Sequence, residues 1–150
     1  MNMTTTCTLA ALLFAGSAHA QDASGCPGLP ADTGLSWESR STADTEFCRA
    51  LRADGSEAFG LYISPKPNFE PERGNRGERG QLGRQDVVWY RAELANQPGI
   101  EARETLLQLA DGRYVHAWLQ APSATELATT LRLLGALQFD PGNDGQVAGN

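Results

Sequence analysis

Positive charge is in short supply in this sequence. Twelve Lys and Arg stand against 18 Asp and Glu, a formal net charge of −6 over 150 residues. Nucleic acid and anionic membranes both recruit clustered positive charge, so neither is expected as a partner. Long apolar runs are missing too. A helix that crosses a bilayer takes about 20 apolar residues, and the run from Leu9 to Ala15 falls far short. Histidine occurs twice and cysteine three times. Two cysteines without neighbouring histidines do not make a zinc site, and a nucleophilic cysteine needs a histidine and a third group beside it. There is no Gly-x-Ser-x-Gly elbow and no His-Glu-x-x-His. The acidic oxygens of Asp140–Asp144 (DPGND) lack the spacing and final bidentate Glu of a calcium loop. No metal and no cofactor is therefore expected.

What is present begins with an export signal. Residues 1–20 carry no charged side chain, and Ala18-His19-Ala20 has the small-x-small form that a signal peptidase accepts. A signal peptide over 1–20 and a mature start at Gln21 follow, although the usual Lys or Arg ahead of the apolar run is absent. Ala23-Ser24-Gly25-Cys26 loosely resembles a lipobox, but it sits well beyond the apolar run, so simple cleavage is expected over a lipid anchor on Cys26. The remainder, 21–139, is one domain's worth of chain. The tail from Asp140 (DPGNDGQVAGN) has nothing to bury and is expected to be disordered. Cys7 leaves with the signal. Cys26 and Cys48 then form an even pair in an oxidising periplasmic or secreted setting, where a disulfide is the default. Closing that loop is worth about 3 kcal/mol on the chain-entropy model.

The element pattern is β-rich with one helix. FCRALRADGSEAFGLYIS and ETLLQLADGRYVHAWLQA each place two β-like runs around Asp-Gly, at Asp54-Gly55 and Asp111-Gly112, which suits tight hairpin turns. Leu35–Ser39 reads as a short first strand. Asp86–Leu94 is the strongest strand by aromatic and β-branched content, and Asn96-Gln97-Pro98-Gly99 turns it toward another starting at Ile100. Ser123 with Glu126 makes a capping-box pattern, and Leu127, Leu131, Leu134 and Leu137 recur at helical spacing. The expected fold class is α+β: an antiparallel β-meander of about six strands with one C-terminal amphipathic helix packed on one face.

Between the hairpins lies GNRGERGQLG, Gly74 to Gly83, with glycine at every third position. The period is too short and too poor in proline for collagen. A phosphate loop follows a strand and opens a helix, whereas this stretch follows a proline-rich segment and leads into a strand. Its arginines are matched by acids: Arg73, Arg76, Arg79 and Arg84 against Glu70, Glu72, Glu78 and Asp86. Ser64–Arg84 is accordingly expected to be a mobile connection, with a binding lid as the alternative, since long loops are uncommon inside a domain and function concentrates in them.

Strand alternation marks a candidate surface. Val115, Ala117 and Leu119 share one face of their strand, while Tyr114, His116 and Trp118 share the other. One helix covers one face. The opposite face should display Tyr114, His116 and Trp118, joined by Trp89 and Arg91 of the neighbouring run, a composition typical of recognition surfaces. The same aromatics equally suit ordinary packing under the long loop, and a lone His116 suits a structural hydrogen-bonding role. Glu101, Arg103 and Glu104 read as a solvated, mixed-charge strand.

The functional expectation is a small non-enzymatic exported domain that binds a protein or cell-envelope partner through the aromatic face and the 64–84 segment. A small hydrolase or transferase with His116 as general base is one alternative. A structural domain with no defined ligand is another. The oligomeric state is not legible.

Overall fold

Two turns of the same chemistry set the register of much of the sheet. In the first, the Arg52 amide donates to the Ser56 carbonyl at 2.8 Å and the Gly55 amide to the Arg52 carbonyl at 2.9 Å. In the second, the Leu109 amide donates to the Arg113 carbonyl at 2.8 Å and the Gly112 amide to the Leu109 carbonyl at 3.0 Å. Gly55 and Gly112 take φ of +82° and +89°, a conformation that glycine reaches without the Cβ penalty. Each preceding aspartate accepts the amide two residues on, Ser56 to Asp54 at 2.9 Å and Arg113 to Asp111 at 3.0 Å. The recurring Ala-Asp-Gly is thus one turn used twice.

The computed structural model describes residues 25–139. The expected signal peptide with its cleavage site, and the tail from Asp140, lie outside the described residues. Seven strands form one sheet: β1 (Ser36–Ser41), β2 (Glu46–Leu51), β3 (Glu57–Ser64), β4 (Arg76–Leu82), β5 (Gln85–Ala92), β6 (Glu101–Gln108) and β7 (Tyr114–Ala121). The helix α1 (Ala124–Gly135) follows. Every pairing is antiparallel and the order is β1-β2-β3-β7-β6-β5-β4. The α+β layout is as expected, with seven strands rather than about six. Two meanders, β1 to β3 and β4 to β7, meet at the β3–β7 pair. The β3–β4 connection must therefore travel from mid-sheet to the far edge.

The added strand is β4, and it overturns the reading of GNRGERGQLG as a linker. Its alternation is hidden because Leu82 is its one apolar inward side chain, with Gly80 and Glu78 before it, and the apolar filling above Gly80 comes from the next strand. A Cβ on Gly80 would lie 2.9 Å from Nε1 of Trp89, and one on Gly77 would lie 2.9 Å from the Trp89 carbonyl oxygen. The Trp89 side chain fills the space that Gly80 leaves and is fully buried, whereas Gly77 lets the Trp89 main chain come close. Its indole Nε1 has no hydrogen-bond partner among the described residues.

The helix begins as the capping pattern predicts, with Ser123 Oγ accepting the Glu126 amide at 3.2 Å. The Glu126 carboxylate turns outward to Arg52 at 2.6 Å, pinning the helix start to the β2–β3 turn. At the other end, the amides of Gly83 and Arg84 in the β4–β5 turn donate to the carbonyls of Leu134 and Gly135, both at 2.9 Å. The last carbonyls of a helix lack intrahelical donors, and the Leu134 carbonyl accepts the Leu137 amide as well, at 3.4 Å. Leu127, Leu134 and Leu137 are buried against Phe59, Leu61, Val115, Leu119 and Trp89 in one core. The Cys26–Cys48 disulfide closes with Cα atoms 5.9 Å apart and ties the N-terminal segment to β2. Trp37 Nε1 donates to the Pro27 carbonyl at 2.7 Å, and Gly28 bridges Gln138 past the helix. No helix among the described residues is long and apolar enough to cross a membrane.

Candidate functional site

The face of the sheet away from α1 carries the aromatic residues. Register places Phe47, Tyr62, His116 and Leu106 in one row across β2, β3, β7 and β6. The next row holds Arg49, Gly60, Trp118, Glu104 and Tyr90. Tyr114 stands on the same face beyond His116.

Trp118 is fixed by its surroundings. Its ring occupies the space above Gly60, where a Cβ would come within 2.1 Å of Cζ2. Nε1 donates to Glu57 Oε1 at 3.0 Å, and the ring packs 5.6 Å from Phe47. Glu57 also accepts from Arg49 at 2.8 Å, and Arg49 reaches Glu38 at 2.9 Å. The Glu57 and Glu38 hydrogen bonds hold the Arg49 guanidinium above its already high pKa. A charged rim thus borders Phe47, Tyr62 and Trp118, all of them half-buried.

The His116 end is built differently. The β3–β4 connection crosses this face and lays Phe69 flat on the imidazole, with centroids 4.8 Å apart and planes 6° from parallel. Phe69 also meets Tyr90 edge-on at 6.3 Å. His116 Nε2 lies 3.0 Å from Glu104 Oε2, and Nδ1 lies 3.3 Å from Asn68 Nδ2. With the ring proton on Nε2, both nitrogens are satisfied: Nε2 donates to the carboxylate and Nδ1 accepts from the amide. Such a ring has no free lone pair to offer a substrate. Among the described residues no hydroxyl or thiol is hydrogen-bonded to it. The small cavity beside it, about 110 Å³, is lined by Phe69, Tyr90, Arg91 and Glu104 with Glu70, Glu72 and Asn75. His116 with Asn68, Phe69 and Glu104 forms a latch for the connection.

The expected residues therefore divide. Tyr114, His116 and Trp118 share the open face. Trp89 and Arg91 do not share their face, because the pairing Tyr90–Glu104, followed by Glu104–Trp118, puts Tyr90 on the open face and Trp89 and Arg91 at positions of the helix side, although Arg91 also borders the small cavity beside Phe69 and Glu104. Trp89 belongs to the core. Arg103, read as part of a solvated strand, is 8% exposed. It reaches across β5 to Glu78 at 2.8 Å and pairs with Glu101 at 3.0 Å. Phe47, Tyr62, Phe69, Glu104 and Glu57 were missed, although alternation around Asp54-Gly55 already put Phe47 and Tyr62 on one face. Cys26, Glu46 and Cys48 lie close together, but the two sulfurs are bonded to each other and leave no thiolate for a metal. No family model, no curated protein and no solved structure matches the chain.

Proposed function

We propose that the chain is a non-enzymatic exported domain that binds a protein or cell-envelope partner through the open sheet face and the adjoining 64–84 segment. One observation carries this reading. Phe47, Tyr62 and Trp118 stay half-exposed, with Trp118 held flat by Glu57 over Gly60, while the His116 end is closed by the chain's own Phe69. Rigid aromatic side chains bordered by charge give large contact area at small entropic cost. The engaged ring nitrogens of His116 speak against a general base. Export is supported by the small-x-small site at Ala18–Ala20 and by the Cys26–Cys48 bridge, since disulfides persist in oxidising compartments.

Co-purification from envelope extract under native salt tests the proposal. The wild-type chain should retain a specific protein that Trp118→Ala loses while both melt at similar temperatures. Equal recovery by the two chains, or recovery of nothing specific by either, contradicts it.

A further inference from the structure

The arginines of the 70–86 segment balance its acids in sequence, but in the fold the acids find other partners. Glu78 turns to the helix side, where Arg103 holds it at 2.8 Å. The Asp86 carboxylate accepts from Gln81 at 3.2 Å, and that of Glu72 from Asn75 at 3.3 Å. Arg76 and Arg79 remain on the open face, and neither side chain makes a hydrogen bond or ion pair with another described residue. They line a groove of about 500 Å³ with Gln81, Asp86 and Val88. Two guanidinium groups thus outnumber the single carboxylate of the groove, Asp86, on a chain of net charge −6.

Their spacing is informative. A register shift lies between Arg76 and Arg79, so three residues of β4 run against two of β5, and the pair sits opposite Tyr90 and Val88. The bulge brings both side chains to one face, at the separation of alternate residues in a strand, about 7 Å. β4 is also the last strand of the sheet, without a partner on its outer side among the described residues. From these features we infer that the β4 edge takes an extended acidic segment of a partner polypeptide, whose alternating carboxylates meet Arg76 and Arg79. Added strands gain affinity from main-chain hydrogen bonds and specificity from alternate side chains. A second copy of this chain is the wrong occupant, because β4 against β4 would set arginine opposite arginine. The inference rests on the open face being the contact surface and names the chemistry of what it contacts.

The test titrates the full mature chain, ¹⁵N-labelled, with a synthetic peptide alternating glutamate and valine. Saturable shifts should appear at the amides of Arg76–Leu82 and at the Nε–H signals of Arg76 and Arg79. The double variant Arg76→Gln/Arg79→Gln should bind about tenfold more weakly or worse, as expected for lost charge-assisted hydrogen bonds, with its unfolding midpoint unchanged. A peptide alternating lysine and valine should not bind, which keeps the test decisive even if the variant folds poorly. The inference fails if β4 shows no saturable shift, if the lysine peptide binds equally, if the variant binds as the wild type does, or if dextran sulfate saturates the site while the glutamate peptide does not. Failure here with Trp118→Ala still abolishing partner recovery removes the acidic strand alone. Loss of both removes the binding face.

Discussion

Glycine carries much of the specific information in this fold, and it does so by leaving space. Gly60 makes room for Trp118, Gly80 for Trp89 and Gly83 for Phe139. A methyl at Gly80 would stand 2.9 Å from Trp89 Nε1, so Gly80→Ala must displace a fully buried indole. It should destabilise the chain by about 1–3 kcal/mol in urea unfolding, the usual cost of overpacking; an unchanged midpoint would mean that Trp89 does not lie against β4. Ion pairing offers a second test at single-residue level. Burial pushes the Glu78 carboxyl up, but the Arg103 hydrogen bond and charge outweigh it and hold the pKa below its ordinary 4.5. A carboxyl depressed in the folded state contributes stability that is complete above its unfolded pKa and fades as the pH falls through the folded one. Stability should therefore drop below about pH 4.5, and Glu78→Gln should make that drop shallower. An identical acid slope in the two chains would contradict the depressed pKa.

Among the elements, those with self-contained signals were legible and those completed by a neighbour were not. Both Asp-Gly hairpins, the Asp86–Leu94 run and the Ser123-capped helix stand where propensity, turn chemistry and periodicity agree. β4 was not legible because its inward side carries Glu78 and Gly80 ahead of Leu82, and the space at Gly80 is filled by Trp89, a residue of another strand. The face of β5 was misread for a related reason: its alternation defines two faces, and pairing with β6 decides which of them meets the helix. The aromatic face was thus legible for β7 and incomplete elsewhere, since the β3–β7 junction that unites Phe47 and Tyr62 with Trp118 is set by strand order. The disulfide joins an irregular N-terminal segment to β2, so its loss should act on that segment first. Replacing both Cys26 and Cys48 with serine should lower stability by about 3 kcal/mol and speed amide exchange at Gly28 and Gln138, which bridge each other. Full protection at those amides without the bridge would show that the segment is held by other contacts.

For the molecule as a whole, one helix shields one side of a seven-stranded sheet, and the crossing connection shields part of the other. The latch of Phe69 on His116 covers its own end of the open face and, among the described residues, leaves the Phe47–Tyr62–Trp118 corner and the β4 groove open to another molecule. If the chain is exported as proposed, N-terminal sequencing of the protein recovered outside the cytoplasm should begin at Gln21, and recovery of intact Met1 would contradict cleavage. The most direct measurement of the central proposal compares two faces of one molecule. A photoreactive residue placed at Phe47 should crosslink to a specific envelope protein, whereas the same residue at Ala128, exposed on the outer side of α1, should not. Equal adducts from both positions, or adducts from Ala128 alone, would show that the open face is not where this protein makes its contacts.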